Sequence, residues 1–118
     1  MNKYGAKKVS WSGRSFASKL EAAVYQVLML QMKAGEISGI ECQDSIYLTD
    51  ARILYKPDFR VIAEGGEEYW VEAKGFKTPE WAIKKRLWKC YGPGRLQIYT
   101  GSHAHPVLSE TIIPKRAA

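Results

Sequence analysis

The stretch from Ile53 to Lys74 constrains this chain more than any other. Two runs rich in β-branched and aromatic residues, Ile53 to Ala63 and Glu68 to Lys74, flank Gly65-Gly66. A glycine pair between such runs signals an antiparallel hairpin. Just downstream, Thr78-Pro79-Glu80 opens a helix, with threonine as cap, proline in the first turn and glutamate near the positive helix end. That helix runs to about Tyr91 and stops at Gly92-Pro93-Gly94, and Arg95 to Thr100 reads as a further strand. Strand, helix, strand is a crossover that is normally parallel and right-handed. A hairpin joined to a crossover predicts a mixed sheet.

Upstream, Phe16, Leu20, Ala23, Val24, Val27 and Leu28 recur at helical spacing. The pattern predicts a helix from about Ser15 to the stop at Gly35. Ile37 to Leu48 reads as a strand with a break near Gln43-Asp44, and Thr49-Asp50-Ala51 as a turn. Pro57 lies inside the second β-rich run, where proline implies an edge, an irregularity or a bulge. Such irregularities often sit beside active sites. In the tail, Thr111-Ile112-Ile113 marks one last edge strand. The fold class is therefore α/β (α+β): a mixed sheet of about four to five strands flanked by helices. With 118 residues the expectation is one domain with one modest hydrophobic core. Residues 1–14 form a basic N-terminal arm and residues 101–118 a C-terminal tail.

The formal net charge of +6 points toward a polyanionic partner such as nucleic acid. Cys42 and Cys90 lack the close spacing of a zinc site and read as two free thiols, one or both partly buried, in a reducing compartment; a single disulfide is the alternative. His103 and His105 alternate but have no acidic or cysteine neighbour to complete a metal site. The polar, basic N-terminus lacks the apolar run of a signal peptide, and no stretch approaches about 20 apolar residues. The expected location is cytoplasmic, with no membrane association.

Four residues carry the chemical argument: Glu21, Asp58, Glu72 and Lys74. Glu72 and Lys74 are two apart on a strand, so both point to one face. Asp58 lies inside an extended segment, where a carboxylate needs a hydrogen bond, a cation or a metal. Antiparallel pairing across the hairpin brings Asp58 and Glu72 together at the end remote from Gly65-Gly66. Two readings of Glu21 stand side by side. Ser18-Lys19-Leu20-Glu21 has capping-box spacing, which would occupy the glutamate if the helix starts at Ser18. If the helix starts near Ser15, Glu21 is free to reach the sheet. Carboxylates gathered beside one lysine can hold a hard divalent cation such as Mg²⁺ or Mn²⁺ next to a water.

These pieces, in this order, resemble the PD-(D/E)xK nuclease superfamily. The match is closer to the phage endonuclease I type of Holliday-junction resolvase. It rests on Tyr4-Gly5-Ala6-Lys7, Ser18-Lys19-Leu20-Glu21, Tyr55-Lys56-Pro57-Asp58-Phe59 and Val71-Glu72-Ala73-Lys74-Gly75. The resemblance implies an αβββαβ core like that of restriction endonucleases. It implies a metal-dependent endonuclease in which Asp58, Glu72, the Ala73 carbonyl and Glu21 serve Mg²⁺ or Mn²⁺, with Lys74 beside them. It also implies an intertwined homodimer acting on branched DNA in recombination, in a phage or its bacterial host. Phosphate contacts would fall to Lys77, Lys84, Lys85 and Lys89 around the second helix, where Leu87 and part of the Trp81 and Trp88 pair turn inward and Lys84, Lys85 and Lys89 outward, and to Lys7, Lys8 and Arg14 in the arm. The rival readings are a nuclease of the same fold cutting flaps or linear duplex, a DNA-binding module without catalysis, and a basic structural protein.

Overall fold

The computed structural model describes residues 9–11, 14–43, 45–49 and 51–115. Lys7 and Lys8, placed above in the basic arm, lie outside them. The element order is β1 (Val9–Trp11), β2 (Arg14–Phe16), α1 (Lys19–Lys33), β3 (Ile37–Cys42), β4 (Ile46–Tyr47), β5 (Leu54–Tyr55), β6 (Phe59–Ala63), β7 (Glu68–Ala73), α2 (Pro79–Tyr91), β8 (Leu96–Ser102) and β9 (His105–Ile112). The fold is α+β: a mixed five-stranded sheet with two helices and two small strand pairs. Strand order in the main sheet is β3-β6-β7-β8-β9; β1 pairs with β2, and β4 with β5.

The hairpin and crossover read from sequence form the centre of the sheet. β6 and β7 pair antiparallel through Phe59↔Val71 and Val61↔Tyr69. Gly66 turns the hairpin at φ 91°, a conformation glycine adopts without steric penalty. β7 and β8 pair in parallel through α2, with Glu72 opposite Ile98. Thr78 caps the second helix as expected, accepting from the Trp81 N–H at 3.1 Å, and Ser18, one of the two candidate starts, caps the first, accepting from the Glu21 N–H at 3.1 Å.

Several expectations are corrected. The helix does not start near Ser15; residues 14–16 are strand, and α1 begins at Lys19 behind the Ser18 cap. Its buried stripe is rotated, so that Ala22 and Tyr25 are buried while Ala23 and Val27 are half-buried. Ile37 to Leu48 divides into β3 and β4 between Cys42 and Ile46, where a break was expected, whereas Ile53 to Ala63 divides fully into β5 and β6. The second break falls at Lys56-Pro57-Asp58, where proline withholds the donor a continuous ladder needs. The tail does more than end in a short edge strand. The eight residues of β9 pair with β8 from Leu96↔Ile112 to Ser102↔His105.

The expected single core is in fact two apolar clusters, one on each face of the sheet. Phe59, Val61, Tyr69, Val71 and Tyr99 pack with Leu20, Val24, Tyr25 and Leu28 of α1. Trp70, Leu96, Ile98 and Ile112 pack with Trp81 and Trp88 of α2. Alternation along β7 sends Val71 one way and Trp70 the other, so a sheet with a helix on each side must fill both faces. Both tryptophans of α2 are buried, not one part of the pair, while Ile83 and Tyr91 are exposed. The Trp88 indole N–H donates to the Gly94 carbonyl at 2.9 Å, which satisfies the polar edge of a buried ring. Cys42 is half-buried and Cys90 exposed, and neither is in a disulfide.

Candidate active site

The break between β5 and β6 decides the site. Asp58 sits one residue before the Phe59↔Val71 pair, which puts it opposite Glu72 in the same register. Its Oδ2 accepts the Ala73 N–H at 2.8 Å, and its own carbonyl accepts the Gln43 N–H at 2.9 Å. Asp58 therefore takes the place of a strand partner at the hairpin end remote from the glycine turn, as the pairing argument requires.

Glu72 lies two residues beyond Trp70 on the α2 face of the sheet and is buried, at 5% exposed. Its Oε1 accepts the Tyr55 hydroxyl at 2.6 Å, and its Oε2 faces the Lys74 ammonium at 3.3 Å. Lys74 also stands over the Trp81 ring, 4.6 Å from the centroid. A ring face attracts a cation. The two-residue spacing of Glu72 and Lys74 thus yields the shared face the sequence predicts.

Glu21 enters from the first turn of α1 and is 4% exposed. The two sequence readings of this residue are not exclusive. Its N–H donates to the Ser18 cap, and its Oε1 accepts the Ala17 N–H at 3.3 Å, one residue outside the Ser18 N–H that a capping box would engage. The same carboxyl still lines the cleft, because the cap ties down the helix end that faces it.

Together these groups line a cleft of about 500 Å³, walled by the start of α1, by Leu54 to Asp58, and by the segment from Glu72 to Trp81. Burial raises the Asp58 pKa well above the ordinary aspartate value, and the Glu72 and Glu21 charges push it the same way. Burial raises Glu72 as well, against the opposing pull of Lys74, Tyr55 and a hydrogen bond with the Asp58 carboxyl. Glu21 is raised by burial and by Glu72, with the Ala17 N–H acting against them. Three carboxyls compress one another's ionisation, and Lys74 is the ammonium set among them. Such a pocket relaxes either by taking up protons or by taking up a cation.

The donor chemistry fits a hard divalent cation: oxygen only, acidic and sheltered. Among the described residues, however, no three acidic, histidine or cysteine side chains form a tight ligand cluster. Asp58 and Glu72 are instead held by Ala73, Tyr55 and Lys74. Ala73, whose carbonyl is the remaining expected ligand, also lines the cleft.

The basic residues divide. Lys84 does not project freely outward: it donates to the Leu54 carbonyl and lines the cleft. Lys85 is paired with Glu110 at 2.5 Å and is half-buried, contrary to the outward placement expected for it. Lys77 and Lys89 are exposed. Arg14 belongs to β2.

Sequence reasoning assigned no role to Tyr55 and placed Trp81 in the packing alone. Both touch the acid–lysine pair. The available signal was a tyrosine beside a predicted strand break, since a buried phenol must find an acceptor.

A family model described as a protein of unknown function, DUF1064, matches residues 1–100. The chain belongs to that family. No curated protein matches it.

Proposed function

We propose that this chain is a metal-dependent endodeoxyribonuclease that hydrolyses phosphodiester bonds, with branched DNA as its substrate. One observation carries the reading: Glu21, Asp58, Glu72 and Lys74, drawn from a helix end, a strand break and a strand, line the same cleft. The mutual repulsion of the three carboxylates provides the reason to take up a cation. Asp58, Glu72, the Ala73 carbonyl and Glu21 are the groups that would hold Mg²⁺ or Mn²⁺. When bound, such an ion acts as a Lewis acid on the phosphate and steadies charge on the attacking and leaving oxygens.

The chain's own groups do the rest. Lys74, held between Glu72 and the Trp81 ring, orients the attacking water or the scissile phosphate and offsets developing negative charge. Exposed Lys77 and Lys89 and the rim lysine Lys84 meet the flanking phosphates, joined by Lys7, Lys8 and Arg14. Lys85 contributes less, because Glu110 already neutralises it. The net charge of +6 suits a polyanion. The preference for branched DNA and the homodimer rest on the resemblance to junction resolvases.

The test is digestion of a four-way junction beside a matched linear duplex, with Mg²⁺ and with chelator. Junction cleavage in Mg²⁺ alone is the expected result. Equal cutting of both substrates removes the branched preference and favours the general nuclease. No cutting with any divalent cation leaves a DNA-binding module. Lys74→Ala is expected to lower cleavage by roughly 10²–10³-fold while DNA binding persists.

A further inference from the structure

This inference rests on the nuclease reading and extends it to a residue outside the acid and lysine set. We propose that Tyr55 is a positioning residue, whose hydroxyl fixes the Glu72 carboxylate in the orientation that receives a hard divalent cation.

A glutamate carboxylate sits on a flexible stem and can rotate about its last bond. Glu72 is denied that freedom from both sides. Tyr55 donates to Oε1 at 2.6 Å while Lys74 stands 3.3 Å from Oε2. Two partners on the two oxygens define the carboxylate plane. Each oxygen has two lone pairs, so a donor on one leaves the other for a ligand.

Tyr55 is itself held. Its ring lies 6.0 Å from Trp81 and meets Trp88 edge-on at 5.7 Å. Its backbone pairs with Ile46 in the small β4–β5 sheet. The Leu54 carbonyl beside it accepts from Lys84. The phenol is thus carried by the β4–β5 pair and braced by α2, both independent of the strand that carries Glu72. A merely structural tyrosine would be served by any backbone carbonyl. This one spends its donor on the buried carboxyl of the cleft. Groups behind a metal ligand orient it and raise its affinity, and their loss typically lowers metal affinity about 10- to 100-fold.

The test uses the full chain and Tyr55→Phe, which keeps the ring and its contacts with both tryptophans. Terbium serves as the cation probe, because its luminescence is excited through nearby aromatic rings and reports binding without catalysis. The expected result is terbium affinity lower by about 10- to 100-fold. DNA affinity in chelator is unchanged, and cleavage is recovered by raising Mg²⁺. In a Glu72→Gln background, Tyr55→Phe produces no further loss of terbium affinity, because its action passes through the missing carboxylate. Tyr47→Phe, on the exposed part of the same small sheet, is the control and leaves every readout unchanged.

Wild-type terbium affinity and wild-type Mg²⁺ dependence in Tyr55→Phe overturn the positioning role while the nuclease reading stands. An equal loss in the Glu72→Gln background overturns it too. If Tyr55→Phe melts below the assay temperature, the hydroxyl is a determinant of folding and the assignment falls. A wild type that neither binds terbium nor cuts DNA overturns both readings together.

Discussion

Asp58 accepts the backbone N–H of Ala73 at 2.8 Å, so the aspartate is locked to the residue that separates Glu72 from Lys74. The bond closes the β6–β7 ladder just where Pro57 has interrupted the strand before it. It also holds two carboxyls that repel each other close together. The fold thus supplies rigidity at a place where charge opposes stability, which is the usual compromise of a functional pocket.

Asp58→Asn removes one of the repelling charges and keeps an oxygen for the Ala73 N–H. Cleavage is expected to fall by at least about 10²-fold, since one of the proposed cation ligands is lost. Stability is expected to rise by on the order of 1 kcal/mol, which for a domain of this size is about 4 °C in melting temperature. Thermal melting in chelator, paired with the cleavage assay, checks both. A variant that loses activity and melts lower contradicts the repulsion argument.

The raised carboxyl pKa values fix the sign of a pH dependence. Folded Asp58, Glu72 and Glu21 keep their protons above the ordinary values of 3.8 for aspartate and 4.5 for glutamate. In that window the native state binds more protons than the unfolded state, so stability falls as pH rises. Their stabilising contribution is complete below the unfolded values and is lost as pH climbs through the folded ones. The metal-free protein should therefore melt lower at neutral pH than in mild acid, and Asp58→Asn should flatten the slope. Added Mg²⁺ should raise the neutral-pH melting temperature. Melting curves from pH 4 to 8, with and without Mg²⁺, read this directly.

The lysines around α2 are expected to differ in DNA binding. Lys89 is exposed, whereas Lys85 is already paired with Glu110. Each phosphate contact contributes about 0.9 to the slope of log affinity against log salt on duplex DNA. Lys89→Ala should reduce that slope by close to this amount. Lys85→Ala should reduce it less. Salt titrations of binding in chelator separate the two, and equal slopes would show that the Glu110 pair opens on DNA.

Gly92 is required for space. A Cβ there would stand 2.6 Å from the Trp88 indole, although the backbone at φ −61° accepts any residue. Trp88 cannot yield readily, being fully buried and bonded to Gly94. Gly92→Ala is expected to destabilise by about 1–3 kcal/mol, the usual range for overpacking a core. Urea denaturation measures it; a neutral result would mean the ring can shift.

Local chemistry made much of this molecule legible in advance. The glycine-turned hairpin, the capped second helix and the shared face of Glu72 and Lys74 all follow from spacing and backbone preference over a few residues. The antiparallel rule also sufficed to place Asp58 opposite Glu72. Where the reading erred, the cause was distant in sequence. The rotation of the α1 stripe toward Ala22 and Tyr25 depends on which face of the sheet the helix meets. The burial of both Trp81 and Trp88 depends on a second core that composition does not reveal. Lys85 was expected outward, and it is held by Glu110 from a strand 25 residues away in the chain.

Sequence alone determined the residue types, the acid-rich constellation and the order of the two helices and the main-sheet strands, because those depend on short-range periodicity. Tertiary structure alone decided that Glu21, in the first turn behind the Ser18 cap, lines the cleft, that Tyr55 bonds Glu72, and that Trp81 shelters Lys74. Those contacts join segments from 7 to 17 residues apart or carboxyls on different elements, and their geometry exists only after both faces of the sheet have packed.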